Sequence, residues 1–171
     1  MLFDGMGSSI LEKHLSPDSF LRRNMRSIIS SVFPPTTTTA TVTMETGLSP
    51  VEHGCLGWSL YFEEIGSNVD IFPNTLSRSE GIPAACYHVA GKYLPFESIG
   101  TKISKATEGR VKAYTVSPFS SFRIQSMDEI FQTIEDLCNE EGEKNIYSYR
   151  PQPDSGMHEF GTNDSRITAS S

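Results

Sequence analysis

The chain is short of several things that would place it at once. It has only three cysteines in 171 residues, Cys55, Cys86 and Cys138, widely spaced and with no CxxC pair. That excludes a disulfide framework and a cysteine zinc site. The three thiols read as small buried apolar groups in a reducing compartment, which points to the cytoplasm. No apolar run approaches the roughly 18 residues of a membrane span. No basic stretch followed by an apolar one opens the chain as a secretory leader would. Positive charge is scarce: 14 Lys and Arg stand against 21 Asp and Glu, a net charge of −7, so there is no nucleic-acid footprint. The glycines at 5 and 7 do not make a GxGxxG dinucleotide signature. What remains, 37% hydrophobic and 20% charged, is the composition of one globular domain with a real core. Met1-Leu2-Phe3 meets a polar Asp-Gly at once, and residues 163–171 offer no closing element. Both ends therefore read as those of a piece of a longer protein.

The organising stretch is Phe33-Pro34-Pro35-Thr36-Thr37-Thr38-Thr39-Ala40, running into Thr46-Gly47-Leu48. The apolar run 28–33 predicts a strand that the double proline stops. Residues 40–45 then predict a short helix with Gly47 near its C-terminus and a threonine at its start. Free N–H groups and the helix dipole favour a phosphate there, and a hydroxyl at that point is a nucleophile toward phosphorus once a metal lowers its pKa. The plain alternative is a Ser/Thr-rich linker.

Before this stretch, Leu2-Phe3-Asp4-Gly5 reads as the end of a buried strand. Asp4 stands at the carboxyl end, where open α/β sheets place ligands, or else it bonds turn amides. Ser8 or Ser9 caps a helix, and Ser16-Pro17 starts another that ends near Arg23. After it, Ser49 to Gly54 predicts a loop with His53 as a hydrogen-bonding group. Residues 56–62 and 69–72 predict a hairpin, 74–83 a polar loop, 84–91 a weak helix and 96–107 a helix. Val111 to Val116 is strand-like. Ser126 and Glu129 form a capping box for a helix whose stripe of Ile130, Phe131, Ile134, Leu137 and Cys138 predicts core packing. Asn145 to Tyr149 is a last strand. Beyond it, Asp154 and His158, four apart, either face one cation or sit in a polar loop. Strands alternating with helices predict an α/β fold with a largely parallel sheet.

Together these pieces resemble the alkaline phosphatase superfamily, in its type I phosphodiesterase/nucleotide pyrophosphatase branch. Three ordered motifs carry the resemblance: the strand-borne Asp4-Gly5; Phe33-Pro34-Pro35-Thr36-Thr37 with Thr46-Gly47-Leu48 and Pro50-Val51-Glu52-His53-Gly54; and Pro153-Asp154 to His158 with Gly161. The resemblance implies a three-layer α/β/α sandwich around a mostly parallel sheet, incomplete here. It implies one catalytic domain over residues 1–171 with an excursion at about 55–83. It implies two divalent metal ions, zinc by the family's habit, and a small-molecule phosphoester substrate. By register from Thr46 the nucleophile falls on Thr37. Asp4 matches a ligand of the metal that also holds Thr37, and Asp154 and His158 match ligands of the other. Thr37 would attack phosphorus in line, giving a phospho-threonine that a metal-activated hydroxide hydrolyses. Two positions depart from the pattern. Ala40 replaces an asparagine of the nucleotide pyrophosphatases, and the family's remaining Asp-His pair and later His lie downstream of His158, with Asp164 lacking an adjacent His. The competing expectation is thus a non-catalytic fragment or interaction module, poorly soluble because its sheet edges are open.

Overall fold

The computed structural model describes residues 1–94, 96–122 and 124–170, with residues 168–170 described by backbone alone. In chain order the elements are β1 (Leu2–Phe3), α1 (Ser8–His14), α2 (Phe20–Asn24), α3 (Thr37–Thr46), α4 (Pro50–His53), β2 (Ser59–Phe62), β3 (Ser67–Asp70) and β4 (Thr75–Leu76). They continue with α5 (Val89–Tyr93), α6 (Ile99–Ala106), β5 (Val111–Val116), α7 (Met127–Asn139), β6 (Glu143–Arg150), α8 (Asp154–Phe160) and α9 (Ser165–Ser170). The fold is mixed α/β. One sheet has the order β1-β6-β5, with β1 parallel to β6 through Leu2↔Tyr149 and Phe3↔Arg150. A separate antiparallel sheet has the order β2-β3-β4.

Two compact units divide the chain. Unit 1 gathers Met1–Ser30, Thr115–Glu135 and Tyr147–Ser171; unit 2 gathers Ser31–Tyr114 and Asp136–Ile146. The core of unit 2 is Val42, Cys55, Phe62, Val69, Ile71, Val89 and Ala90. Burying each of its larger side chains contributes about 1.5–3 kcal/mol. Threonine is a mediocre helix former, yet α3 is threonine-rich. Tertiary burial holds it: Thr38, Thr39, Thr41, Val42 and Thr46 are buried. The Thr46 hydroxyl donates back to the Val42 carbonyl at 2.6 Å, so it is not left unsatisfied. Gly47, at φ 70°, ends the helix in the left-handed conformation that glycine takes without strain. Lys102 Nζ donates to the Thr46 carbonyl at 3.2 Å, a cation at the negative end of the helix.

Several expectations need correction. Residues 28–33 are not a strand: Ile28 and Ile29 are 66% and 84% exposed. Apolar, β-branched residues make a strand only against a neighbour, and no described strand pairs with this run. The 49–54 loop contains α4, where Ser49 N–H donates to Glu52 Oε2 at 2.8 Å in a capping box. A single turn is too short to show a period. The polar loop 74–83 holds β4, an edge strand whose backbone pairing (Val69↔Leu76, Asp70↔Thr75) composition does not reveal. The second helix starts at Phe20 with Ser19 as its N-cap, the weak helix at 84–91 is displaced to α5, and the one at 96–107 is trimmed to α6 with Ser98 as its N-cap. The apolar stripe of α7 is narrower than its spacing suggests. Ile130 and Leu137 are buried, but Phe131 and Cys138 are exposed. The end at 163–171 does carry an element, α9; Ser171 lies outside the described residues.

The cysteines also divide. Cys55 is buried, whereas Cys86 and Cys138 are exposed. Burial, with the nearby Glu45 carboxylate, pushes the Cys55 thiol up to about 11. The thiolate is the reactive form. Native protein treated with iodoacetamide at neutral pH is therefore expected to be modified at Cys86 and Cys138, with Cys55 alkylated only after denaturation. Peptide mapping by mass spectrometry checks this, and native alkylation of Cys55 contradicts the packing described here.

Candidate active site

Unit 1 holds an acidic cluster. Strand β1 ends at Phe3, but the ladder runs one bond further, from Asp4 N–H to the Arg150 carbonyl at 2.9 Å. Gly5, at φ 68°, turns the chain away from the sheet. Tyr149 is opposite Leu2, so its side chain leaves the sheet on the same face as Asp4, two residues along. Its hydroxyl donates to Asp4 Oδ2 at 2.8 Å. Tyr149 is 3% exposed. Burial first, then the Asp4 charge, holds its pKa well above the ordinary phenol value. It therefore stays a donor throughout the working pH range and fixes the Asp4 carboxylate.

From β6 the chain passes through Pro151-Gln152-Pro153 into α8, and the Asp154 N–H donates to the Asp4 carbonyl at 3.2 Å. Asp154 opens α8 and His158 follows one turn later, with Nε2 3.3 Å from Asp154 Oδ2. The sequence left these two in a loop or facing one cation; they sit on a helix, and the i,i+4 spacing stacks them on one face. Asp154 is half-buried, and His158 is open to solvent at 82%. Burial, and secondarily the Asp4 charge, raises the Asp154 pKa above the ordinary carboxylate range, partly offset by His158. Asp4 and Asp154 thus lie close at the carboxyl ends of two parallel strands, with His158 paired to Asp154.

Unit 2, taken by itself, holds the first turn of α3. Thr36 is its N-cap residue and Thr37 the first helical residue. The Thr36 and Thr39 hydroxyls lie 2.8 Å apart, and Thr38 Oγ1 donates to the Gly57 carbonyl at 2.6 Å. Thr38 and Thr39 are fully buried, whereas Thr37 is half-buried. The neighbours of Thr37 are therefore tied into the structure. The helical continuation of the threonine run excludes the linker reading.

His53, read as a loop residue, is fully buried on α4. Its Nδ1 accepts the Cys55 N–H at 3.0 Å, which leaves the proton on Nε2 to be shared with Thr43 Oγ1 at 3.0 Å. Burial lowers its pKa. It is a neutral hydrogen-bonding group that pins the α3–α4 junction, as the sequence suggested.

The family model of type I phosphodiesterase / nucleotide pyrophosphatase matches residues 1–170. The chain belongs to that family. No curated protein and no solved structure matches it significantly. Family membership brings phosphoester hydrolysis as the general chemistry, typically with metal dependence. Among the described residues no group of three or more His, Cys, Asp or Glu is arranged to hold a metal ion, and no helix is long and apolar enough to cross a membrane. The donor chemistry nonetheless fits a divalent cation. The Asp154–His158 pair offers a carboxylate oxygen and an imidazole nitrogen, and a cation would relieve the repulsion between Asp154 and Asp4. Sequence reasoning missed Tyr149. The signal was its place on the last strand, five residues before Asp154.

Proposed function

We propose that this member of the phosphodiesterase family is a metal-dependent phosphoester hydrolase with Thr37 as nucleophile. Its substrates would be small phosphodiesters or phosphomonoesters. Asp4, Asp154 and His158 would hold divalent ions, two in number and zinc by preference. When bound, such ions supply charge neutralisation at phosphorus and acidify the attacking hydroxyl. The observation that carries the reading is the Asp154–His158 pair, with Asp154 close to Asp4, at the carboxyl ends of β1 and β6.

The chain's own groups account for the remainder. Thr37 supplies the hydroxyl oxygen that forms a bond to phosphorus as the bond to the ester leaving group breaks, giving a phospho-threonine that water then hydrolyses. The N-terminus of α3 and its dipole favour the phosphoryl oxygens. Tyr149 orients Asp4.

The test is zinc content together with hydrolysis of a chromogenic phosphodiester, comparing the protein with Asp4→Asn and with Glu141→Gln, a change at an exposed acid. Asp4→Asn is expected to lose activity by about 10²- to 10³-fold and Glu141→Gln none. If the protein with zinc bound turns nothing over, the hydrolase reading fails and a non-catalytic interaction module takes its place.

A further inference from the structure

Alternate residues of a strand leave the sheet on opposite faces. Tyr149 takes the face of β6 that carries Asp4, so Arg150 takes the other. Arg150 lines a cavity of about 400 Å³ that lies wholly within unit 1, bounded by the end of β6, the segment after β5 and the first turns of α7. That volume is within the range of about 300–1,000 Å³ that small-molecule sites occupy. None of Asp4, Tyr149, Asp154 and His158 lines it.

The cavity is built to donate hydrogen bonds. Arg150 is half-buried, and burial lowers its pKa, yet a guanidinium stays charged. Gln152 Oε1 accepts the Gly156 N–H at 3.1 Å, which leaves the amide NH2 as the end that donates elsewhere. Ser126 Oγ accepts the Glu129 N–H at 3.2 Å, which leaves its O–H to donate. Among the described residues no Asp or Glu lines the cavity. Asp128 and Glu129 stand in the first turn of α7, where Glu129 Oε2 accepts the Gln125 N–H at 2.7 Å. Those two acids oppose an anion at the helix terminus, so Arg150 is the anchor and the helix dipole is not. Much of the remaining wall is apolar, with Pro118, Ile124 and Ile130.

We propose that this cavity binds a small aliphatic monocarboxylate, with Arg150 taking the carboxylate and the apolar wall taking the body. The fork of a guanidinium matches the two oxygens of a carboxylate. One lining cation balances one negative charge, whereas a dianion would leave a charge buried and unpaired. The site is separate from the Asp4 cluster, and its occupancy does not depend on whether the chain hydrolyses phosphoesters.

Calorimetry on the full chain at neutral pH with hexanoate, 1-hexanol and hexanedioate tests the proposal. Hexanoate is expected to bind about 10-fold tighter than either of the others. Arg150→Gln and Gln152→Glu should each abolish that preference. The second keeps the oxygen that Gly156 bonds and adds a negative charge. Lys13→Gln, at an exposed cation on α1, should keep the preference. In the unmodified protein, methyl NMR should show hexanoate shifting the Ile124 and Ile130 signals and leaving Ile71, in the core of unit 2, in place. Equal affinities, no binding of hexanoate at about 10 mM, no shift at Ile124 and Ile130, or a preference that survives either variant each overturns the proposal. Where a variant fails to melt cooperatively, the methyl shifts of the unmodified protein decide. Zinc-dependent binding that survives Arg150→Gln would put the carboxylate at the Asp4 cluster and also overturns it. Hydrolysis is not read out, so failure of the phosphoester assay leaves this result standing.

Discussion

Thr37→Ala is expected to lower kcat for a chromogenic phosphodiester by about 10⁴-fold or more while zinc stays bound. The size of the effect follows from the surroundings of the residue. Alanine is the best helix former, and the N-cap position belongs to Thr36, so α3 survives the change. The neighbouring hydroxyls cannot step in. Those of Thr36 and Thr39 bond each other and that of Thr38 is fixed on the Gly57 carbonyl, with Thr38 and Thr39 fully buried. Thr37→Ser keeps an oxygen in place and should retain far more activity than Thr37→Ala. Residual turnover by Thr37→Ala within about tenfold of the parent would move the nucleophile elsewhere; a matching loss of zinc would make Thr37 a structural ligand and not the attacking group.

The second large effect is on the acidic cluster of unit 1. Gly5→Ala should cost about 2–4 kcal/mol and lower the melting temperature by about 10 °C. At φ 68° any Cβ is strained, and here it would also sit 2.7 Å from Met157 Cε, 2.9 Å from Asp154 Cβ and 3.0 Å from Asp154 Cα. The methionine tip can move aside. The Asp154 backbone cannot, because its N–H is bonded to the Asp4 carbonyl and it opens α8. Relief therefore pushes Asp154 away from Asp4, so zinc affinity falls along with stability. Gly66→Ala is the control. Its φ is also 68°, but nothing lies within 4 Å of its added Cβ, so it carries the backbone strain alone. Equal melting shifts in the two variants would mean that Asp154 is not packed against the turn.

Much of this was legible because it is local. Asp4 at a strand end, the glycine that stops α3, the capping box of α7 and the i,i+4 pair Asp154–His158 all depend on residues a few positions apart. The mixed α/β class followed from the alternation of elements. The order of the ladder did not, since nothing in Leu2 or Tyr149 announces that they pair. Nor did the sequence show that residues 28–33 would stay outside any strand, because strand character there depended on a neighbour. The environment of Thr37 was half legible. Register singled it out from the run, but the bond that holds Thr38 to Gly57 spans 19 residues and leaves no local trace.

The pairing of Leu2 with Tyr149 also sets an order of assembly. The antiparallel sheet closes through short turns, with Phe62↔Ser67 and Asp70↔Thr75 as its innermost pairs, so the entropic cost of forming it is small. The parallel ladder must close a loop of nearly the whole chain, and on the ribosome it cannot form until residue 150 has been synthesised. The hairpin region therefore folds early, and Asp4 reaches Tyr149 and Asp154 last. The acidic cluster around Asp4 is a late-forming feature, absent from any nascent chain that stops short of β6.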